Sequence, residues 1–292
     1  MWSEHERIYF MDSMTYISGA SGYAGSRISA HLAGQGRNLI LASRDPIRVE
    51  ELADQLRRKY SNIKIQTLLC DLSSVDSWHA ATEKLLNFEV DCYINCSGIQ
   101  GKLGPSHEID YEELNLVFKV NLFSSMYFSN FFANRLNTGN QLKIIHFSGG
   151  GSTGPRPLFM PYSLSKTSLL RFVENFAAEN VGKNIQINAI APGVMPSQMQ
   201  QEIIQSLEVV GSKDFAVAEK SLSERKSDLP KLLELCDFLI SERSMGISGK
   251  LISAEWDNWA EWPNHLEDLK SSDLYTLRRI TGRDRGQNWG DL

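Results

Sequence analysis

What most constrains this chain is an alternation of short, wholly apolar runs with amphipathic stretches, and it starts with a run that leads straight into glycines: Thr15-Tyr16-Ile17-Ser18-Gly19-Ala20-Ser21-Gly22-Tyr23-Ala24-Gly25. After this first strand candidate, residues 14–18, apolar runs recur at 38–43, 63–69, 90–95, 142–147, 185–190 and 250–254. Helical stretches fall between them at 27–34, 49–59, 75–87, 111–136, 162–180 and 229–241. Strands alternating with helices predict an α/β fold, a doubly wound parallel sheet with helices on both faces. The runs are continuously apolar, as strands covered on both faces require. No linker rich in Pro, Gly or Ser cuts the 292 residues, so residues 1–254 read as one domain and 255–292 as a Trp/Arg-rich extension. Residues 194–228, polar and mostly without a strand, also stand outside the alternation.

The glycines at 19, 22 and 25 lie between the first strand and the first helix. There a dinucleotide pyrophosphate meets backbone N–H groups and a helix N-terminus, which makes the fold expectation Rossmann-like. A tight strand–helix turn is the plain alternative for such spacing alone; its place at the first turn favours the dinucleotide. The second strand ends Ala42-Ser43-Arg44, where an NAD site usually has a carboxylate for the ribose 2′-OH. A guanidinium suits a 2′-phosphate instead, so NADP (NADPH) is expected over NAD, although Asp45 could pair with Arg44. Asp71 follows the third strand, within reach of an adenine amino group or as a helix cap. Asn95 and Gly98 end the fourth, at the edge where ligands bind.

Tyr162 and Lys166 are four residues apart, about one helical turn, and so share a face. An ammonium beside a phenol should pull down a pKa near 10, giving a proton donor and acceptor usable near neutral pH. Beside a dinucleotide turn, the pair points to an enzyme that moves a proton and a hydride with a nicotinamide cofactor.

Composition closes other routes. A net charge of -5 gives no reason to expect nucleic acid or an anionic membrane as partner. Cys70, Cys92, Cys96 and Cys236 show no metal-ligand spacing, no histidine has a metal-like partner at i+3 or i+4, and no metal is expected. Buried thiols fit a reducing cytoplasm. The polar start Met1-Trp2-Ser3-Glu4-His5-Glu6-Arg7 lacks a signal-peptide core, and no apolar run is long enough to span a bilayer. His146, within the fifth strand run, reads as structural.

From residue 14 to 254 the chain resembles the short-chain dehydrogenase/reductase (SDR) family. The residues that carry the resemblance are Ser18 to Gly25, Asn95-Cys96-Ser97-Gly98 (similar to Asn-Asn-Ala-Gly), Asn121, Ser148, Tyr162 with Lys166, Pro192-Gly193 and Ser197. The resemblance implies a catalytic set of Ser148, Tyr162, Lys166 and Asn121. Tyr162 would protonate the forming alkoxide, and Lys166 would lower its pKa and bind the nicotinamide ribose. Ser148 would donate to the carbonyl oxygen, and Asn121 would hold a water linking Lys166 to solvent. The implied cofactor-binding set is Ser18, Gly19, Ser21, Gly22, Tyr23, Ala24, Gly25, Ser43, Arg44, Asp71, Leu72, Asn95, Ser97, Gly98, Pro192, Gly193 and Ser197, together with Tyr162 and Lys166. Three departures matter. The glycine spacing is that of the larger, sugar-nucleotide-modifying branch. Ser148 is one residue farther from Tyr162 than usual, which makes Ser152 a rival. Ala254-Glu255-Trp256-Asp257 replaces the compact branch's closing Asp-Gly-Gly.

The implied activity is an NADP-dependent interconversion of a carbonyl and a secondary alcohol on a small-molecule substrate, a sugar or sugar nucleotide of bacterial surface-carbohydrate synthesis among the options. The alternatives are an epimerase or dehydratase with retained NAD, and a non-catalytic dinucleotide sensor. The family also implies a homodimer or homotetramer through its long helices. Residues 99–109, 149–161 and 194–228 should wall the substrate, the last as a lid. Arg156, between two prolines, is a candidate for binding a substrate anion, though a surface ion pair is its commoner use. Trp256, Trp259 and Trp262, three apart, should share a helical face, with Arg278, Arg279, Arg283 and Arg285 beyond. That extension would pack on the domain or a partner subunit, or else close over the substrate.

Overall fold

The computed structural model describes residues 13–224, 229–287 and 289. The polar start at residues 1–7 lies outside them. Strands β1 (Met14–Ser18), β2 (Asn38–Ser43), β3 (Ile65–Leu69), β4 (Val90–Asn95), β5 (Leu142–Phe147), β6 (Ile185–Ala191) and β7 (Leu251–Ser253) form one sheet. Its order is β3-β2-β1-β4-β5-β6-β7, with every pairing parallel. The chain runs outward from β1 to β3, then crosses back to β4 and runs outward the other way. That reversal opens a crevice at the carboxyl ends of β1 and β4, where ligands bind in open sheets. Among the described residues no helix is long and apolar enough to cross a membrane.

Apolar strands are needed because each strand feeds two cores. Ile17, Cys92, Ile94, Ile145 and Phe147 point to one face, under α1 (Tyr23–Gly34), α2 (Pro46–Lys59) and α9 (Pro230–Ile240). Met14, Tyr16, Tyr93, Leu142 and Ile144 point to the other, under α3 (Val75–Leu85), α5 (Ser124–Asn134) and α6 (Met160–Glu179). Each fully buried aliphatic or aromatic side chain contributes about 1.5–3 kcal/mol. At the opposite edge of the sheet from the crevice, Arg37 clamps β1 to β4. Its Nη2 reaches both Asp91 oxygens at 2.7 and 2.9 Å, and its Nε donates to Thr15 Oγ1 at 2.8 Å.

Three stretches differ from expectation. The single helix expected at 111–136 is α4 (Tyr111–Phe118) and α5 joined by a π turn at Lys119–Phe123. The lid region, expected to be polar and mostly without a strand, folds into α7 (Gln198–Gln205) and α8 (Leu207–Glu224), the latter kinked at Gly211. The tryptophans do not share a helical face. Trp256 is exposed, Trp259 packs on Phe238 of α9 with ring centroids 5.2 Å apart, and Trp262 is buried against Tyr275 at 4.2 Å. The proline at 263 and a short 3-10 turn at Trp259–His265 break the regular spacing. From there the extension, with α10 (Leu266–Ser271), covers the outer edge of β7: Leu251 N donates to Tyr275 O at 2.9 Å and Arg171 Nη2 to Leu277 O at 2.6 Å. Arg278 is occupied by Asp273 and Asp284.

Candidate active site

The first turn is a floor without side chains. Gly19 takes φ +70°, and a Cβ there would press on Ser97 Oγ. A Cβ on Gly25 would overlap the carbonyl oxygen of Gly19, so only glycine lets α1 sit this close to the turn. Gly22 is the N-cap of α1 and no side chain caps it, which leaves the positive end of the helix dipole to a ligand. Around this floor lies a cleft of about 250 Å³ lined by Ser18, Gly19, Ser21, Gly22, Ser43, Arg44, Asp71, Leu72, Ser97 and Gly98. Ser21 and Ser43 tie its first two walls together, Oγ to Oγ, at 2.7 Å. These residues fit a dinucleotide: a phosphate cradle at a helix N-terminus, with polar groups along the strand ends.

Asp45 does not pair with Arg44. Its Oδ1 accepts from Ile47 N and Arg48 N at 3.1 and 3.0 Å, capping α2. Arg44 is exposed at the cleft. Arg48, which the sequence reading missed, lines the cleft as well, with Nη2 donating to Ser21 O at 3.2 Å. Its signal was available: it stands four residues after Arg44. Asp71 is partly engaged as a turn residue, Oδ1 accepting from Ser73 N and Oγ, while Ser74 caps α3.

A second cavity of about 570 Å³ shares Gly22, Cys96, Ser97, Gly98 and Gln198 with the first. It is lined by Tyr23, Ala24, Ser148, Ser152, Tyr162, Lys166, Pro192, Gly193 and Ser197. Ser148 continues the ladder off β5, its N donating to Ile190 O at 2.8 Å, and its Oγ donates to Ser152 Oγ at 3.0 Å. The two rival serines are thus one hydrogen-bonded pair, and neither is bonded to the Tyr162 hydroxyl. That hydroxyl lies over Gly149, where a Cβ would overlap it.

Asn95, Asn121 and Gly25 do not line either cavity; they stand behind the walls. Asn95 Oδ1 accepts from Ser18 Oγ at 2.7 Å and Ser97 N at 3.1 Å, joining the ends of β1 and β4. The π turn carries Asn121 inward. Its Oδ1 accepts from Ile99 N and its Nδ2 donates to Ile99 O and Ser165 Oγ, all at 2.9 Å. Such a bulge often marks a functional position. Here the carboxamide fixes the Gly98 loop to α6.

The lowered phenol pKa expected from Lys166 beside Tyr162 is corrected. Lys166 Nζ donates to Phe147 O at 2.7 Å and lies 5.7 Å from the Tyr162 ring centroid. Burial pushes the Tyr162 phenol up to about 12, with Arg156 pulling the other way. Burial brings Lys166 down to about 8. His146 is structural: Nε2 meets Ser129 Oγ at 2.9 Å, and burial pushes its pKa down to about 3.

The substrate end draws on the expected walls, 99–109 and 194–228. Gln100, Met195, Met199, Asp214 and Val217 line the cavity, three of them from the helices of the lid region. No described residue of the 255–292 extension lines it. Among the described residues no group of three or more His, Cys, Asp or Glu is placed to hold a metal.

Comparison with known proteins agrees with this geometry. Residues 13–208 match the family described as short chain dehydrogenase. Human 17-beta-hydroxysteroid dehydrogenase type 3 is 25% identical over 190 residues, 65% of this chain and 61% of that protein, so the chain spans about three fifths of that relative. A diacetyl reductase ((S)-acetoin forming) from Staphylococcus epidermidis is 26% identical over 257 residues, 83% of this chain and 96% of that one. The crystal structure of YwfH, an NADPH-dependent reductase involved in bacilysin biosynthesis, superposes with a TM-score of 0.73 at 20% identity, covering 83% of this chain and 96% of the other.

Proposed function

This chain belongs to the short-chain dehydrogenase family and is an NAD(P)-dependent oxidoreductase, and from that premise we propose that it takes NADPH and interconverts a carbonyl and a secondary alcohol with Tyr162 as the acid/base. The observation that carries the reading is that Tyr162, Lys166 and the Ser148–Ser152 pair line one cavity that runs into the dinucleotide cleft through Gly22, Ser97 and Gly98. A bound nicotinamide supplies the hydride. In reduction Tyr162, whose raised pKa keeps its proton in place at neutral pH, gives that proton to the carbonyl oxygen as the carbon accepts the hydride. Ser148 and Ser152 bring hydroxyls to the same wall to steady the developing charge. Lys166, beside Gly98 and half-way to neutrality near pH 8, holds the ribose and returns a proton to Tyr162. Asn121 keeps the Gly98 loop in register with α6.

NADPH is favoured because Arg44 and Arg48 flank the cleft beyond β2 while Asp45, which follows Arg44, caps α2. YwfH, similar in fold, is an NADPH-dependent enzyme. The substrate class is a small oxygen-rich ketone, keto sugars and sugar nucleotides of surface-carbohydrate synthesis included. Gln100 and Thr153 offer hydrogen bonds at the cavity wall, and the staphylococcal relative is named for a dicarbonyl. The four free thiols suit a reducing cytoplasm. Exposed Tyr111, Leu116, Phe123 and Leu164 on the α4–α5 and α6 surface suit a homodimer or homotetramer. The test is titration of the purified protein with NADPH and NADH after a check for retained nucleotide. An empty site preferring NADPH is expected; tightly retained NAD would overturn the reading in favour of internal redox recycling, as in an epimerase or dehydratase.

A further inference from the structure

The loop after β5 opens with three consecutive glycines after Ser148, and the first two lie under side chains of the site. Gly149 lies under the Tyr162 hydroxyl, and Gly150 lies under Arg156, whose Nη1 would be 3.4 Å from a Cβ built there. Arg156 is laid flat on the Phe159 ring, its Cζ 3.5 Å from the centroid. Phe159 is fully buried in a small separate core with Ile203 of α7 and Val210 and Ala218 of α8. The same guanidinium reaches across to α8, Nη2 to Asp214 Oδ1 at 2.9 Å. The loop is under strain where it turns: Leu158 takes φ +70°, and its carbonyl accepts from Gly104 N at 2.9 Å. The helices it holds carry Gln198, Met199 and Val217 into the cavity.

We propose that Arg156 is a positioning residue of this enzyme: bridged to Asp214 and stacked on Phe159, it latches the α7–α8 flap to the glycine loop above the Tyr162 hydroxyl and thereby shapes the space a substrate must fit. The inference rests on the Tyr162-centred reading of the site and adds a determinant to it. It also reassigns Arg156 from an anion-binding candidate. The guanidinium already has a carboxylate partner, so a substrate anion would have to displace Asp214. A half-buried ion pair and a cation–π contact on one guanidinium couple two segments that the backbone does not connect. The charged groups around Tyr162 are Lys166 on its own helix, Arg156 from the loop and, through Arg156, Asp214 from α8. Opening the latch therefore changes both the shape and the field at the phenol.

The experiment is hydrogen–deuterium exchange on the full chain, comparing wild type with Arg156→Gln, Asp214→Asn and Arg156→Lys. Kinetics with NADPH and butane-2,3-dione as the probe carbonyl run alongside. Exchange across 198–224 should rise about fivefold to tenfold in the first two variants and less in Arg156→Lys, which keeps the charge but not the flat stack, with the sheet unchanged in all. KM for the dione should rise more than kcat falls. Unaltered exchange across 198–224 in both Arg156→Gln and Asp214→Asn would overturn the latch. A wild type that reduces no dione counts against the probe or the reductase reading, and the exchange result still decides the latch.

Discussion

The dinucleotide cleft and the catalytic cavity are neighbours on one sheet edge, yet they are built differently. The cleft is made of backbone and short hydroxyls that satisfy one another, Ser18 with Asn95 and Ser21 with Ser43. Its shape comes from where glycines allow the chain to go. The cavity is made of buried ionisable groups held away from their ordinary behaviour, a phenol raised to about 12 and an ammonium lowered to about 8. Binding an anion of known shape needs preformed donors. Moving a proton needs groups whose two states are close enough in free energy to exchange. The two regions should therefore fail differently when mutated.

The largest effect should come from Tyr162→Phe, with kcat falling by roughly 10²–10⁴, the usual worth of a placed general acid, and NADPH affinity unchanged by fluorescence titration. A variant with wild-type turnover would empty the cavity of chemistry and favour a dinucleotide sensor. A matched glycine pair sharpens the contrast. Gly149→Ala should displace the phenol and cut kcat while sparing NADPH binding, whereas Gly25→Ala should weaken binding and lower stability by about 1–3 kcal/mol, read by thermal unfolding. If both behaved alike, the distinction between cleft and cavity would be lost. Next in size, Arg44→Ala with Arg48→Ala should weaken NADPH about tenfold or more, the worth of charge-assisted hydrogen bonds at about 1.5–3 kcal/mol, and leave NADH nearly unmoved. Equal losses would remove the 2′-phosphate role.

The smallest effect is on pH dependence. Lys166 falls from 10.5 to about 8 on folding, so its charged form is the one burial disfavours. That penalty on stability is fully present below about pH 8 and fades as pH rises towards 10.5. Dinucleotide affinity should move the opposite way, weakening by up to about tenfold above pH 8 as the ammonium is lost. Lys166→Arg, always charged, should flatten the titration; an unchanged slope would take Lys166 out of cofactor binding.

Much of this architecture was legible because it is written locally. Apolar runs reported strands within a residue or two, since each strand is covered on both sides. The glycine turn reported the cleft, since the close approach of Gly25 to Gly19 is a property of seven consecutive positions. Lys166 was read correctly as a neighbour of Tyr162 in sequence but not in its partner, because its ammonium reaches the carbonyl of Phe147, nineteen residues back on another element. Asn121 was found as a residue but not as a brace, since the π turn that swings it toward Ile99 has no marked composition. The tryptophan spacing misled because Pro263 breaks the helix that the spacing presumed.

By itself the sequence determined the alternating fold, the glycine turn at its first strand, and the tyrosine and lysine that share a helix face. These follow from periodicity, from glycine's missing Cβ and from the 3.6-residue turn, all of which act over a few residues. Only the tertiary structure decided that Ser148 and Ser152 are one pair, that Arg156 is paired with Asp214 fifty-eight residues away, and that the described part of the extension covers an edge strand. Those outcomes depend on distances and burial between segments remote in the chain, where a side chain's partner and its pKa are set by what packs against it.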